Sequence, residues 1–138
     1  MIRFIMKYLA LDIGDKRTGV AISDDLGITV RPAAVIEVGE LFLERLGEII
    51  KNENPDILVV GVPRHQSGDE SEKVEQIRKF AKILHHEYNL PVDFEDESAT
   101  SVEAERRLKE KGMSLQEVKN NVDAEAAAII LEGYLARK

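Results

Sequence analysis

The sequence predicts an α/β domain with one mixed five-stranded sheet, three strands antiparallel and two parallel, flanked by helices. Three observations predict it. Residues 9–24, LALDIGDKRTGVAISD, join two apolar runs through a tight basic turn, the pattern of a β-hairpin. Ile57 to Val60 is a short, wholly apolar run just after Pro55, as expected of a strand buried on both faces. From Leu41 onward, segments with apolar residues at steps of three and four alternate with strand-like segments. With 138 residues, no internal repeat and no linker-like tract, the chain reads as a single domain over 1–138.

The elements follow in order. The hairpin supplies the first two strands, turning at Gly14 with Lys16 and Arg17 beside the turn. Ile28 to Val38 is β-branched and predicts a third strand, where Pro32 marks a sheet edge or a bulge because it has no N–H to donate. Leu41, Phe42, Leu46, Ile49 and Ile50 mark a helix. The Ile57 strand ends at Gly61-Val62-Pro63, and a loop from Arg64 to Gly68 leads into a long helix from about Asp69 to Tyr88. Val74, Ile77, Ala81, Leu84 and Tyr88 form its apolar stripe, and Asp69 with Glu72 resembles a capping box. Pro91 opens a strand from Val92 to about Asp96. Thr100 with Glu103 is expected to cap a helix ending at Gly112, Ser114 with Glu117 to start a short helical piece, and a last helix to run from about Val122 to Leu135. Short links between the first three strands predict an antiparallel meander. Helical links to the later strands predict parallel pairing with the first.

Composition narrows the function. With no cysteine there are no disulfides, thiolate metal sites or cysteine nucleophile. No apolar run approaches the roughly 20 residues that span a bilayer. The opening MIRFIMKYLALD is interrupted by Lys7 and Asp12 and has no small-residue cleavage site, so a cytoplasmic protein is expected, with Met6 an alternative start. A net charge of −7 gives no general attraction to nucleic acid. A polyanion would need a local basic patch or a divalent metal that neutralises acids.

Acids fall where elements begin or end. Asp12 is a carboxylate in an otherwise apolar strand, costly to bury unless a cation or hydrogen bonds compensate it; it could equally be a turn cap. Asp96 and Glu97 end the fifth strand. Alternation puts Asp96 on the face of Val92 and Phe94 and turns Glu97 away, which does not decide between them. Asp123 is expected to open the last helix, where it could simply complement the helix dipole. Ala124, Ala126, Ala127 and Ala128 beside it would let that helix approach the sheet closely. Clustered carboxylates with no softer ligand suit Mg²⁺ or Mn²⁺. Lys16, Arg17 and Arg64 are candidate phosphate contacts, Arg64 lying with His65 just before a helix N-terminus.

Together these residues resemble the YqgF family, small Holliday junction resolvases also described as pre-16S rRNA nucleases. The matching pattern is D-x-G-x-K-R-x-G at Asp12, Gly14, Lys16, Arg17 and Gly19, and S-D at Ser23 and Asp24. It continues with G-hydrophobic-P at Gly61 to Pro63, Gly68, D-E at Asp96 and Glu97, T-S-x-E-A at Thr100 to Ala104, and V-D-x-x-A-A at Val122 to Ala127. The resemblance runs in order over nearly the whole chain. It implies a ribonuclease H-like fold and a catalytic, metal-binding triad of Asp12, Glu97 and Asp123. It further implies a phosphodiester-hydrolysing endonuclease that acts on precursor rRNA or, alternatively, on branched DNA, as a monomer or a homodimer. Two departures stand out: Ser98 occupies the place of the family's usual Arg, and Arg64 to Ser67 differ from its usual loop.

Two other classes compete. A non-catalytic nucleic-acid-binding module would not need the acids. An ATP-binding fold of the actin and sugar-kinase type shares such a hairpin, but needs two domains to enclose a nucleotide.

Overall fold

The computed structural model describes residues 5–63, 68–97 and 100–138. Arg64, His65 and Ser98 lie outside them, as does the side chain of Asp69, so the expectations placed on those residues are not met or refuted by the fold. The elements are β1 (Tyr8–Ile13), β2 (Arg17–Ser23), β3 (Val30–Glu37), α1 (Phe42–Glu53), β4 (Ile57–Pro63), α2 (Gly68–Tyr88), β5 (Val92–Glu97), α3 (Thr100–Glu110) and α4 (Leu115–Ala136).

The strands form one sheet in the order β3-β2-β1-β4-β5. β1 pairs antiparallel with β2, and β2 with β3, while β1–β4 and β4–β5 are parallel. Both readings of Pro32 hold. β3 is an edge strand, and its register against β2 slips where Val20 pairs with Ala34 but Ala21 with Pro32, leaving Ala33 as an extra residue. Asp24 closes the β2–β3 loop by accepting the Ile28 N–H at 2.7 Å, and the Ser23 hydroxyl accepts the Tyr8 N–H at 2.8 Å. These two residues of the S-D pair hold the fold.

Alternation splits the sheet into two faces. Leu9 and Leu11 of β1, Val20 and Ile22 of β2, and Leu58 and Val60 of β4 pack with Phe42 and Leu46 of α1 and Ile77 and Leu84 of α2. On the other face, Tyr8, Ala10 and Val59 pack with Ile130, Leu131 and Tyr134 of α4. β4 is thus buried on both sides, as its unbroken apolar run requires. Among the described residues no helix is long and apolar enough to cross a membrane.

One expectation at the helix ends is corrected. Ser114 and Glu117 do form a capping box, but the helix they start runs unbroken to Ala136, so the expected short piece and last helix are one element. Within it Gln116 bonds Asn120, and Asn121 donates to the Glu117 carbonyl, along the helix surface. The Glu103 carboxylate accepts from Arg106 and Arg107, and the residue before Thr100 lies outside the described residues, so the expected cap there is not tested. α3 ends as expected at Gly112, whose φ of +83° permits the paired bonds Gly112 N–H to Lys109 and Met113 N–H to Leu108.

α4 approaches β2 closely. Ala127 and Ala128 sit on Ala21, and a Cβ placed on Gly19 would fall on the Asp123 carbonyl. Only hydrogen fits there. Gly19→Ala is therefore expected to lift α4 from the sheet and cost about 3 kcal/mol, lowering Tm by roughly 10 °C. Thermal unfolding checks this, and an unchanged Tm would refute the close contact.

Candidate active site

Asp12 lies one step beyond Leu11 and takes the α4 face of the sheet. Leu11 pairs with Val60 in the parallel register, so Asp12 stands beside Gly61 at the next step. Glu97, the last residue of β5, pairs with Pro63 and shares the α4 face with Glu95 and Asp93. Gly61 makes room for it: a Cβ at that position would come within 2.6 Å of the Glu97 Oε2 and 2.5 Å of the Ile130 Cδ1. The Glu97 carboxylate therefore folds over bare backbone toward Asp12.

Both carboxyls titrate high. Burial, then the neighbouring charge of Asp123, pushes Asp12 up to about 6, partly offset by Lys73. Burial, then the charge of Asp12, pushes Glu97 up to about 7, again offset by Lys73. Glu97 Oε2 is buried with no hydrogen-bond partner. An ordinary structural carboxylate in such a position would have one. Asp96, by contrast, is exposed on the opposite side of β5.

Asp123 does not open a helix. It is the ninth residue of α4, counting from Leu115, so the dipole-complementing role is excluded. α4 brings it to Asp12 where the helix crosses Gly19. Its carboxylate accepts a bond from Arg17 Nε at 3.1 Å. Arg17 is thus engaged with the third acid. Lys16 is exposed beside it at the turn. The far end of α4 is held to the same sheet face by Tyr134, which donates to Asp93 at 2.7 Å, and by Arg137, which bonds Glu95.

The donor set suits a hard cation: two adjacent oxygens-only side chains, one with an orphaned buried oxygen, and a third acid within electrostatic reach. Among the described residues no group of three acidic or histidine side chains is already arranged to hold a metal ion, and Asp123 is engaged with Arg17. Lys73 was not singled out by the sequence. The one available signal was its place four residues before Ile77, which puts a cation at the margin of the core-facing stripe of α2.

Comparisons with known proteins place the chain in a family and a fold. Residues 6–137 match the family model described as RuvX: Holliday junction resolvase. A Lactococcus lactis protein named "Putative pre-16S rRNA nuclease" is 41% identical over 133 residues, covering 94% of this chain and 93% of its own. A Leuconostoc mesenteroides protein of the same name is 38% identical over 138 residues, with 96% of each chain covered. Among solved structures, the fowlpox virus resolvase in complex with Holliday junction DNA superposes with a TM-score of 0.58 at 16% identity, covering 96% of this chain and 98% of that one. Thermus thermophilus RuvC in complex with a Holliday junction substrate gives 0.53 at 18% identity, covering 96% of each. These two likenesses establish the ribonuclease H-like fold. The chain belongs to the RuvX family.

Proposed function

We propose that the protein is a divalent-metal-dependent endonuclease that hydrolyses phosphodiester bonds in structured nucleic acid, with the 5′ end of pre-16S rRNA as its substrate. The observation that carries this reading is the half-buried Asp12–Glu97 pair, with its raised titration and the buried, unpartnered Glu97 Oε2. Unused carboxylates in such a place would only cost stability, which disfavours a non-catalytic module. The names borne by the relatives support the choice of substrate.

Asp12, Glu97 and Asp123 would hold Mg²⁺ or Mn²⁺. When bound, the cation supplies Lewis acidity and a water of lowered pKa at neutral pH. The remaining work belongs to the chain. At neutral pH Asp12 is already ionised, and a bound cation would favour loss of the proton that Glu97 still partly holds. Arg17, which pairs with Asp123, would serve a substrate phosphate, leaving that carboxylate available to the cation. Lys16, Arg64 and Lys73 add positive charge around the strand to be cut, in a protein whose net charge otherwise repels it. The protein would work in the cytoplasm, where precursor rRNA is processed.

The family description favours a second reading, resolution of four-way DNA junctions. That reaction cuts two strands symmetrically and needs a dimer, whereas rRNA processing needs one copy. A Mn²⁺ cleavage assay offering pre-16S fragments, single-stranded RNA and four-way DNA junctions side by side separates them. Cleavage of the pre-16S fragment is expected to dominate. Preferential junction cutting by a dimeric species would replace the substrate assignment.

Asp12→Asn is expected to reduce metal-dependent cleavage to background without unfolding the protein; a variant that cuts like the parent would overturn the site. The same site sets a pH dependence. The Asp12 carboxyl titrates at about 6 when folded and at 3.8 ordinarily, so its ionisation opposes folding. The penalty is absent below pH 4, grows between pH 4 and 6, and is complete above that, reaching up to about 3 kcal/mol. Glu97 extends the window to about pH 7. In chelator, Tm should therefore fall as pH rises from 4 to 7, and Asp12→Asn should be at least as stable as the parent at pH 8. Denaturation curves across that range test the sign, and a parent Tm that rises over it would contradict the half-buried, repelling pair.

A further inference from the structure

On the opposite face of the sheet from the carboxylates, an apolar cavity of about 420 Å³ opens beneath the β1–β2 turn, between α1 and α2. Its size falls within the range of small-ligand sites. Phe42 and Phe80, a tilted pair with centroids 5.4 Å apart, form part of its wall. Thr18 also lines it; this residue is fully buried and its hydroxyl has no hydrogen-bond partner. Neither feature is needed by the reaction described above. Lys73 stands at both places: it lines the cavity, and its charge reaches Asp12 and Glu97 over the edge of the sheet.

The geometry points to this cavity as the seat of one unpaired base of the substrate strand, adjacent to the phosphate that Asp12 and Glu97 act on. The inference rests on the nuclease reading and deepens it. An aromatic wall offers a face on which any base stacks. The orphaned Thr18 hydroxyl lies just behind the cavity surface, closed to solvent; a base edge pressed against that wall could both donate to it and accept from it, whereas an aliphatic guest would leave it unpaired. Lys73 at the rim suits the phosphate that joins the seated base to the scissile one, and Asp15, also at the rim, offers an acceptor to an exocyclic amino group. Only an unstacked nucleotide can enter, so the site selects strands with a bulge, a loop or a branch over continuous duplex.

Gly39 supplies the test. It lines the cavity, and a Cβ added there meets nothing within 4 Å, so a larger side chain can plug the mouth without displacing backbone. The probe is the best-cleaved strand from the side-by-side assay, bound by the full chain with Ca²⁺, carrying a single abasic unit at each position around the cut. One position near the cut is expected to weaken binding by about tenfold. Gly39→Leu should weaken the intact strand to the same degree and leave that abasic strand unaffected. Should Gly39→Leu fail to fold, Thr18→Val serves in its place. It should keep or raise Tm, because it removes a buried unpaired hydroxyl, while reducing discrimination among the four bases at that position. A flat abasic scan on a strand that the protein does cut would overturn the base seat and leave the nuclease standing. Equal weakening of intact and abasic strands by Gly39→Leu, or unchanged base discrimination in Thr18→Val, would overturn it as well. No binding or cleavage of any nucleic acid would end both readings.

Discussion

The structure depends on a single backbone contact, where α4 crosses β2 at Gly19. Peptide groups approach there with no side chain between them, and the row of alanines that follows keeps the helix low over the sheet. Two consequences come from the same crossing. It buries the α4 face of the sheet beneath Ile130, Leu131 and Tyr134. It also delivers Asp123 to Asp12, from a residue more than one hundred positions away in the chain. Stability and site assembly are therefore not separable in this region.

The second determinant is charge held in an unfavourable place. Asp12 and Glu97 sit side by side over Gly61, offset among the described residues by Lys73. Such a pair stores repulsion that a divalent cation or two protons would relieve. Elsewhere the protein spends its carboxylates in conventional ways: Glu103 on Arg106, Glu95 on Arg137, Glu53 on Lys7 and Arg31. The contrast separates the site from the acidic surface around it better than net charge does.

Arg17 links the two halves of the site. As a guanidinium it can pair with Asp123 or with phosphate, and both are planar or tripodal oxygen acceptors that suit its fork. Its pairing with Asp123 keeps the third carboxylate from standing next to the other two without a countercharge. Exposed ion pairs of this kind contribute no more than about 1 kcal/mol, so exchanging the partner is inexpensive.

The sequence by itself determined the elements, their order and the mixed sheet, because period-two and period-3.6 patterns and turn residues act over a few positions. The hairpin at Gly14, the doubly buried β4, the bulge at Pro32 and the αL end at Gly112 were all legible in this way. It determined the acids of the site only as candidates. Local pattern could not choose between Asp96 and Glu97, and it mistook the start of α4, making Asp123 a helix opener. The tertiary structure shows Glu97 turned toward Asp12, Asp96 turned away from it, and α4 beginning at Leu115, since each depends on which face of one element meets another. Gly61 gives space to Glu97, α4 carries Asp123 past the point where propensity placed its beginning, and Lys73 and the Thr18 cavity gain meaning only when α2 packs beside the β1–β2 turn. Burial and charge coupling arise between segments distant in the chain, and no local window of residues contains them.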